Sequence, residues 1–359
     1  MGVDMADKLR VGIIGCGVGL AHARGYARLP NVEIVALADV SLERCQRITR
    51  EIPVPDLYSS YEELLQRKDI DAVSIALPNY LHAPATLAAL ESGKHVLVEK
   101  PLAMTVAEGE AMVATAARTR RKLMICFNYR FRGDSQAIRR YAEGGGLGEV
   151  YFARAGWLRQ TGIPGLGSWF TNKALSGGGP LIDLGVHVLD LALWLMGAPE
   201  PTAVSGMTYA KFGPRGRGGW GGTRFTVGEA GYTVEDMATG YVRFANGATL
   251  ALEVSWASFT SHRDDYYVHL FGSEGGAELN VRQYGFADNV RLYGEAAGAY
   301  TEMIPRYNEG GGHETAVAEF VRCIEEDTQP VPGGEDGLRV LRIIQALYQS
   351  AAAGREVIL

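Results

Sequence analysis

Cysteine is scarce in this chain: Cys16, Cys45, Cys126 and Cys323 are the only four in 359 residues, with no CxxC pair and no regular spacing. That scarcity excludes a disulfide framework and a cysteine-based zinc site, and leads us to expect reduced thiols, a cytoplasmic location and no metal. Positive charge is also in deficit, with 35 Lys and Arg against 41 Asp and Glu and a formal net charge of −6. Nucleic acids and anionic membranes attract basic faces, so neither is expected as a partner. The basic, glycine-rich stretch 211–224 is the local exception and reads as a long loop. Long apolar runs are missing as well, so no segment is expected to span a bilayer. The first ten residues, with Asp4, Asp7, Lys8 and Arg10, do not have the pattern of an export signal. Internal repeats and low-complexity tracts are likewise not seen.

What the chain does have is a composition able to build cores, 47% hydrophobic and 21% charged, at a length that predicts two domains. In the first part, β-branched apolar runs at 11–14, 33–38, 72–76, 95–98 and 123–126 alternate with helical patterns at 21–29, 42–51, 61–66, 84–92 and 106–119. Strand and helix in alternation predict a parallel sheet covered on both faces. After a linking helix at 134–141 the pattern changes to longer strands of period two, at 150–158, 239–244, 248–256 and 266–271, with Asn246-Gly247 as a turn. That half is expected to be a large, mostly antiparallel sheet buried on one face, closed by helices at 313–326 and 335–353. The expected division is 1–130 for an α/β Rossmann domain and 131–359 for an α+β domain.

The apolar run 9–14 leads straight into Gly15-Cys16-Gly17-Val18-Gly19 and then a helix. Strand, glycine turn and helix place backbone N–H groups and a helix N-terminus under a pyrophosphate, and glycine keeps side chains from standing between them. The usual GxGxxG spacing puts its third glycine at position 20, where this chain has Leu20, so the turn is one residue short. Asp39 ends the second strand, where a carboxylate binds the ribose hydroxyls and repels a 2′-phosphate, which favours NAD over NADP. Arg44, one helical turn further on, is the cation that would offset this repulsion. The alternative is a glycine turn that serves packing only.

Asp183 and His187 lie four residues apart in Gly177-Gly178-Gly179-Pro180-Leu181-Ile182-Asp183-Leu184-Gly185-Val186-His187-Val188-Leu189-Asp190. On a helix that spacing puts both side chains on one face, able to meet one small molecule, while the apolar residues after them bury the other side. Read alone, the segment is first of all a core helix with a satisfied histidine and a capping aspartate, and it is the rest of the chain that overturns this reading.

The segments 72–82, with Pro78-Asn79-x-x-His82, and 89–101, with Gly93-Lys94-His95-Val96 and Glu99-Lys100-Pro101, closely resemble the glucose-fructose oxidoreductase and inositol dehydrogenase family, Gfo/Idh/MocA. The resemblance continues through Phe127-Asn128-Tyr129-Arg130-Phe131, the 177–190 segment, Val234-Glu235-Asp236 and Asn246-Gly247-Ala248, and reaches the C-terminal helices. It implies a Rossmann domain followed by an α+β domain whose open sheet mediates a homodimer or homotetramer. It implies that Gly15, Gly17, Val18, Gly19, Asp39, Pro78, Asn79, His82, Glu99, Lys100 and Asn128 bind the cofactor. By the same resemblance Lys100, Asp183 and His187 are catalytic, with His187 the general acid/base, while Tyr129, Arg130 and Trp169 join them around the substrate. Trp157, Trp169, Trp220 and Trp256 are available as platforms for sugar faces, or as core residues.

Oxidising a secondary alcohol needs a base for the hydroxyl proton as hydride leaves carbon. Histidine titrates near the working pH, and a fixed lysine charge stabilises a developing alkoxide. The expected function is therefore an NAD-dependent oxidoreductase interconverting a secondary hydroxyl and ketone on a sugar, sugar derivative or inositol-like polyol. A glycoside hydrolase working by transient sugar oxidation is the alternative. A silent sugar sensor is the third class, against which Lys100, Asp183 and His187 together argue.

Overall fold

Val11, Ile13 and Ile14 have no exposed surface, so the first strand, β1 (Leu9–Ile14), is buried on both faces and needs helices above and below it. In the computed structural model, which describes residues 8–359 except 166, 225 and 228–230, those helices come from regular alternation. The order after β1 is α1 (Gly19–Ala27), β2 (Val32–Ala38), α2 (Leu42–Thr49), β3 (Asp56–Tyr58), α3 (Tyr61–Leu65), β4 (Ala72–Ile75), α4 (His82–Glu91), β5 (His95–Val98), α5 (Val106–Thr119) and β6 (Leu123–Ile125). All six strands are parallel, in the order β3-β2-β1-β4-β5-β6. Strand order reverses direction at β1 and β4, and a doubly wound sheet holds its ligand at the carboxyl ends of such a pair.

The second sheet is built differently. After α6 (Gly133–Glu143) come β7 (Val150–Arg159), α7 (Lys173–Ser176), a π-helical turn (Leu181–Gly185), α8 (Val186–Leu195), β8 (Pro201–Tyr209), β9 (Met237–Phe244), β10 (Thr249–Ser255), β11 (Asp264–Gly272), β12 (Gly276–Arg282), β13 (Val290–Ala296) and β14 (Ala299–Met303). The chain ends with α9 (His313–Glu325), α10 (Gly334–Ala353) and β15 (Val357–Ile358). Nine strands run in the order β14-β13-β12-β11-β7-β10-β9-β8-β15, antiparallel except for the parallel pair β7 and β10. Along β7, β10 and β11, Ala153, Ala155, Trp157, Leu250, Leu252, Val254, Val268 and Leu270 are buried. Their neighbours Arg154, Glu253, Tyr267 and His269 are not. This period of two leaves one face of the sheet for α8, which packs on β7 and β11, and one face open.

The two compact units do not follow the expected boundary throughout. The first joins Met1–Asn128 to Gly311–Leu338, and the second joins Tyr129–Gly310 to Arg339–Leu359. Residues 311–338 belong with the first unit because α9 packs on α1, where a Cβ on Gly25 would stand 3.0 Å from Val317. The run Lys173–Leu195 also departs from the expectation that no segment reaches membrane-spanning length. It is long and apolar enough by length and composition, yet 83% of its apolar window is buried inside the protein.

Within the second unit, Arg130 donates through Nε (2.8 Å) and Nη2 (2.5 Å) to the carboxylate of Asp190 on α8, and both residues are buried. Removing one partner of a buried pair strands the other charge in a low-dielectric interior. Asp190→Ala should therefore cost about 3–5 kcal/mol, read from urea unfolding. A loss of only a few tenths of a kcal/mol, the range of roughly 0–1 kcal/mol seen for exposed pairs, would show that the guanidinium reaches water.

Candidate functional sites in the two units

The glycine turn after β1 divides three tasks among its glycines. Gly15 adopts φ +91°, and a Cβ there would lie 2.3 Å from the Ala76 carbonyl oxygen at the end of β4, so no other residue fits. A Cβ on Gly17 would meet nothing within 4 Å, which leaves its backbone open to a ligand. Gly19 is the first residue of α1, and a Cβ there would come within 2.9 Å of Ile13, so it sets the close packing of helix on strand. The turn is one residue short, yet the packing task of a third glycine is still filled. Val18, beside these glycines, is half exposed. Asp39 is buried at the end of β2, where Oδ2 accepts from the Cys16 amide and Oδ1 from the Ser41 amide, both at 2.8 Å. The carboxylate thus clamps the turn, and each oxygen retains a second lone pair for a hydroxyl donor. Arg44 Nη1 stands 3.8 Å from Asp39 Oδ1.

Past β4, Pro78 leads into a short turn at Asn79–Leu81. The His82 ring nitrogens face the Pro101 (2.6 Å) and Leu77 (2.8 Å) carbonyl oxygens, tying the turn to the Lys100–Pro101 cis peptide. Burial pulls the His82 pKa below the ordinary histidine value. Lys100 lies two residues past β5, at the carboxyl end of the parallel sheet.

Glu99, expected on the cofactor, is buried and engaged within the first unit: Oε1 lies 2.9 Å from His22 Nε2 and 3.3 Å from His313 Nε2, and Oε2 accepts from the Lys100 amide. Burial pushes this carboxyl up, but hydrogen bonds from the two histidines overcome that and hold it well below the usual range. Asn128, also expected on the cofactor, places Nδ2 3.5 Å from His313 Nδ1. His22, Glu99, Cys126 and His313 form the one potential metal-ligand cluster among the described residues, donor atoms within 4.8 Å of one another. The His22–Glu99 separation is a direct hydrogen bond, and a tetrahedral cation with bonds of about 2 Å would have to force it apart. The cluster reads as an anchor joining α1, β5 and α9.

In the second unit the site begins at the glycines before Asp183. A Cβ on Gly178 would fall 2.0 Å from the Tyr348 hydroxyl, and one on Gly179 would fall 2.1 Å from the Glu235 carbonyl oxygen. The space is filled by the Glu235 carboxylate, which accepts from the Gly179 (3.0 Å) and Leu181 (3.1 Å) amides and the Tyr348 hydroxyl (2.8 Å). That grip starts the π-helical turn Leu181–Gly185, so Asp183 and His187 do not share a regular α-helix as expected. Such turns recur at functional sites because they re-aim side chains.

Asp183, part-buried, accepts from Trp256 Nε1 at 2.9 Å. His187 is 9% exposed, with the Tyr129 ring edge-on at 4.8 Å and the Trp157 ring at 5.8 Å. Tyr266 closes this wall, 5.0 Å from each of Tyr129 and Trp157. Burial raises the Tyr129 pKa far above the phenol value, so that hydroxyl stays protonated. Arg159 on β7 donates to Asp264 Oδ1 (3.1 Å) and to the Tyr284 hydroxyl (3.3 Å). Burial alone would lower its pKa, but the charges of Asp183 and Asp264 raise it.

Two further expected substrate residues have partners within the second unit. Arg130 is engaged with Asp190, as described above, and Trp169 stacks on Phe170 at 3.9 Å. Sequence reasoning gave no role to Glu235 or Arg159, and it offered Trp256 as a sugar platform or core residue, whereas the structure shows it buried and donating to Asp183. The pair Glu235-Asp236 offered one signal, two acids directly before an apolar strand and costly to bury without dedicated donors.

Two family models match the chain: an oxidoreductase family with an NAD-binding Rossmann fold over residues 9–127, and the GFO/IDH/MocA C-terminal domain over 135–278. D-glucoside 3-dehydrogenase of Escherichia coli is 33% identical, the alignment covering 98% of each chain. Levoglucosan dehydrogenase of Pseudarthrobacter phenanthrenivorans is 31% identical over 96% of this chain and 97% of its own. A solved levoglucosan dehydrogenase in complex with NADH and levoglucosan superposes with a TM-score of 0.83 at 27% identity, covering 98% of this chain and 99% of that one.

The Glu235 grip makes a pH prediction. Burial raises its carboxyl pKa above 4.5, so the folded protein holds this proton more tightly than the unfolded chain does. Its contribution to stability is therefore largest at low pH and declines as pH rises through the raised value. Glu235→Gln should lack that decline, seen as a difference between the two proteins' unfolding free energies across the acidic range. Parallel curves would show that Glu235 titrates normally. Glu235→Ala, which strips the acceptor from three donors, should cost about 1–3 kcal/mol.

Proposed function

From the premise that the chain belongs to the Gfo/Idh/MocA family and is an NAD-dependent oxidoreductase acting on CH–OH groups, we propose how its own residues carry out the reaction and on what. The proposed substrate is a sugar, sugar derivative or cyclic polyol. This is supported by relatives named D-glucoside 3-dehydrogenase, levoglucosan dehydrogenase and myo-inositol 2-dehydrogenase. The observation that carries the reading is the pairing of Asp183, oriented by Trp256, with His187 in an aromatic wall on the same short segment.

His187 takes the proton of the reacting hydroxyl and returns it in the reverse direction. Asp183 accepts a hydrogen bond from a substrate hydroxyl and keeps the ring in register, with Trp256 preventing its rotation. Lys100 contributes a fixed positive charge that favours the alkoxide. A bound NAD would supply the hydride acceptor. Gly15, Gly17 and Gly19 leave a bare backbone for its pyrophosphate, and Asp39 accepts from the adenosine ribose hydroxyls. The same carboxylate would repel a 2′-phosphate, which makes NAD preferred over NADP.

We also propose a homodimer or homotetramer formed through the open sheet face, where Tyr151 and Tyr241 are exposed beside Phe152, Tyr267 and Phe271. A cytoplasmic location is supported by four free cysteines.

Nicotinamide absorbance followed across inositols, aldoses and glycosides, with product analysis, tests the reading. NADH accumulation supports the dehydrogenase, whereas aglycone release without net NADH supports the hydrolase. His187→Ala should lower kcat by roughly a hundredfold or more, with the acidic limb of the pH profile lost and NAD affinity retained. Lys100→Ala should lower kcat and keep that limb. Full activity with an unchanged profile in His187→Ala would make this histidine a core residue. The dissociation constant for NAD should be lower than for NADP, and Asp39→Ala should narrow the gap; a wild-type preference for NADP would give Arg44 the deciding role. A monomer mass by light scattering at micromolar concentration would remove the oligomer from the reading.

A further inference from the structure

Of the four tryptophans that the sequence offers as sugar platforms, two are closed off: Trp157 is 2% exposed and Trp256 is 0%. Trp220 is the opposite case, half exposed on the 211–224 loop. A single exposed aromatic ring is ordinary in itself, but here much of the local structure serves to hold it in place. The Gly218 carbonyl oxygen accepts from the Gly162 (2.9 Å) and Ile163 (3.0 Å) amides, pinning the loop to the end of β7. At the loop's start, Asp236 Oδ2 accepts from the Lys211, Phe212 and Gly213 amides at 2.7, 2.6 and 3.0 Å. Phe212 stacks on Phe259 at 4.4 Å, with Arg217 over both rings. This loop is braced at its start and at Gly218.

The indole is also backed on one side. The Arg159 guanidinium lies 4.8 Å from its centroid, and a Cβ on Gly162 would approach it to 3.1 Å, so glycine admits the ring at this spot. Arg159 in turn lies over Trp157 at 5.9 Å, and the Trp157 ring is 5.8 Å from His187. Trp220, Arg159, Trp157 and His187 therefore form one continuous run of contacts within the second unit. An indole with one face backed by a buried guanidinium and the other open offers a flat, rigid surface that suits the C–H face of a pyranose or an aryl ring.

We propose that Trp220 is the platform of a second subsite, where the outer indole face stacks against the ring attached to the sugar being oxidised, so that this protein takes two-ring glycosides in preference to free monosaccharides. The inference rests on the sugar oxidoreductase reading above. It adds a specificity for what lies beyond the reacting ring.

The test compares kcat/KM, followed as NADH formation, for methyl glycosides and free polyols against 4-nitrophenyl glycosides and disaccharides of the same sugars. The wild type should favour the two-ring compounds. Trp220→Ala should reduce that preference by roughly three- to tenfold, the range for one aromatic stacking contact, and Trp220→Phe should retain most of it. A wild type that oxidises both classes without preference, or a preference unmoved by Trp220→Ala, overturns the subsite and leaves the oxidoreductase reading standing. No NADH with any compound overturns that reading and the subsite with it. A drop in mass by light scattering in Trp220→Ala, with substrate preference unmoved, assigns the indole to contact between copies and also overturns the subsite.

Discussion

Glu235 is a buried carboxylate held by neutral donors, and the geometry of the second-unit site depends on how that cost is met. Three neutral donors share it: two backbone amides of the Gly179–Leu181 stretch and the Tyr348 hydroxyl. Amides reach a buried oxygen only if nothing projects between them, which is why glycine stands at 178 and 179. Once those amides point at Glu235, the following turn starts from a fixed direction, widens into the π-helical form and delivers Asp183 toward Trp256. A substitution at Gly179 or Glu235 would thus be felt at Asp183 without touching it.

The chemistry of the His187 wall follows from which groups keep a fixed protonation state. Tyr129 is held neutral by burial and Arg159 is held charged by Asp183 and Asp264, so neither exchanges protons near neutrality. Asp264 is engaged by Trp157 Nε1 (2.6 Å), Arg159 and the Tyr284 hydroxyl. His187 therefore sits among groups whose charges are settled. The aromatic wall limits how its ring can turn, while Asp183 is restrained separately through an indole N–H. The two side chains are thus restrained by separate contacts, rings around His187 and an indole N–H on Asp183.

Much of this was legible in the sequence because its signals are periodic or local. Alternating strands and helices fixed the parallel sheet, period two fixed the one-sided sheet, and the glycine turn with Asp39 marked the β1 end. The π-helical turn was not legible, since Asp183 and His187 fit an α-helical spacing equally well and the cause lies at Glu235, far along the chain. The return of 311–338 to the first unit was hidden for a related reason: an amphipathic pattern in α9 shows that one face is buried, not that Gly25 of α1 receives it. β8 was missed because Gly206 and the exposed Met207 break the alternation; Gly206 is there so that Leu347 can pack against the strand. Arg130 and Glu99 sat in the right segments, but segment position does not show where a long side chain turns. Asp190 and the two histidines decided that.

Glu99 and Glu235 are the same residue type, both buried, and they end with opposite character. Glu99 accepts from His22 and His313, whose rings can carry positive charge, and its carboxyl is held far below the ordinary range. Glu235 accepts from amides and a phenol, none of which carries positive charge, and burial keeps its carboxyl above that range. Hydrogen-bond number does not separate the two cases, because each carboxylate has several donors; the charge available to those donors does. Glu99 therefore behaves as a permanent anion that holds α9 to the end of β5, whereas Glu235 is a group that folding would rather leave protonated. The fold tolerates the second because the amides it organises must find an acceptor there in either state.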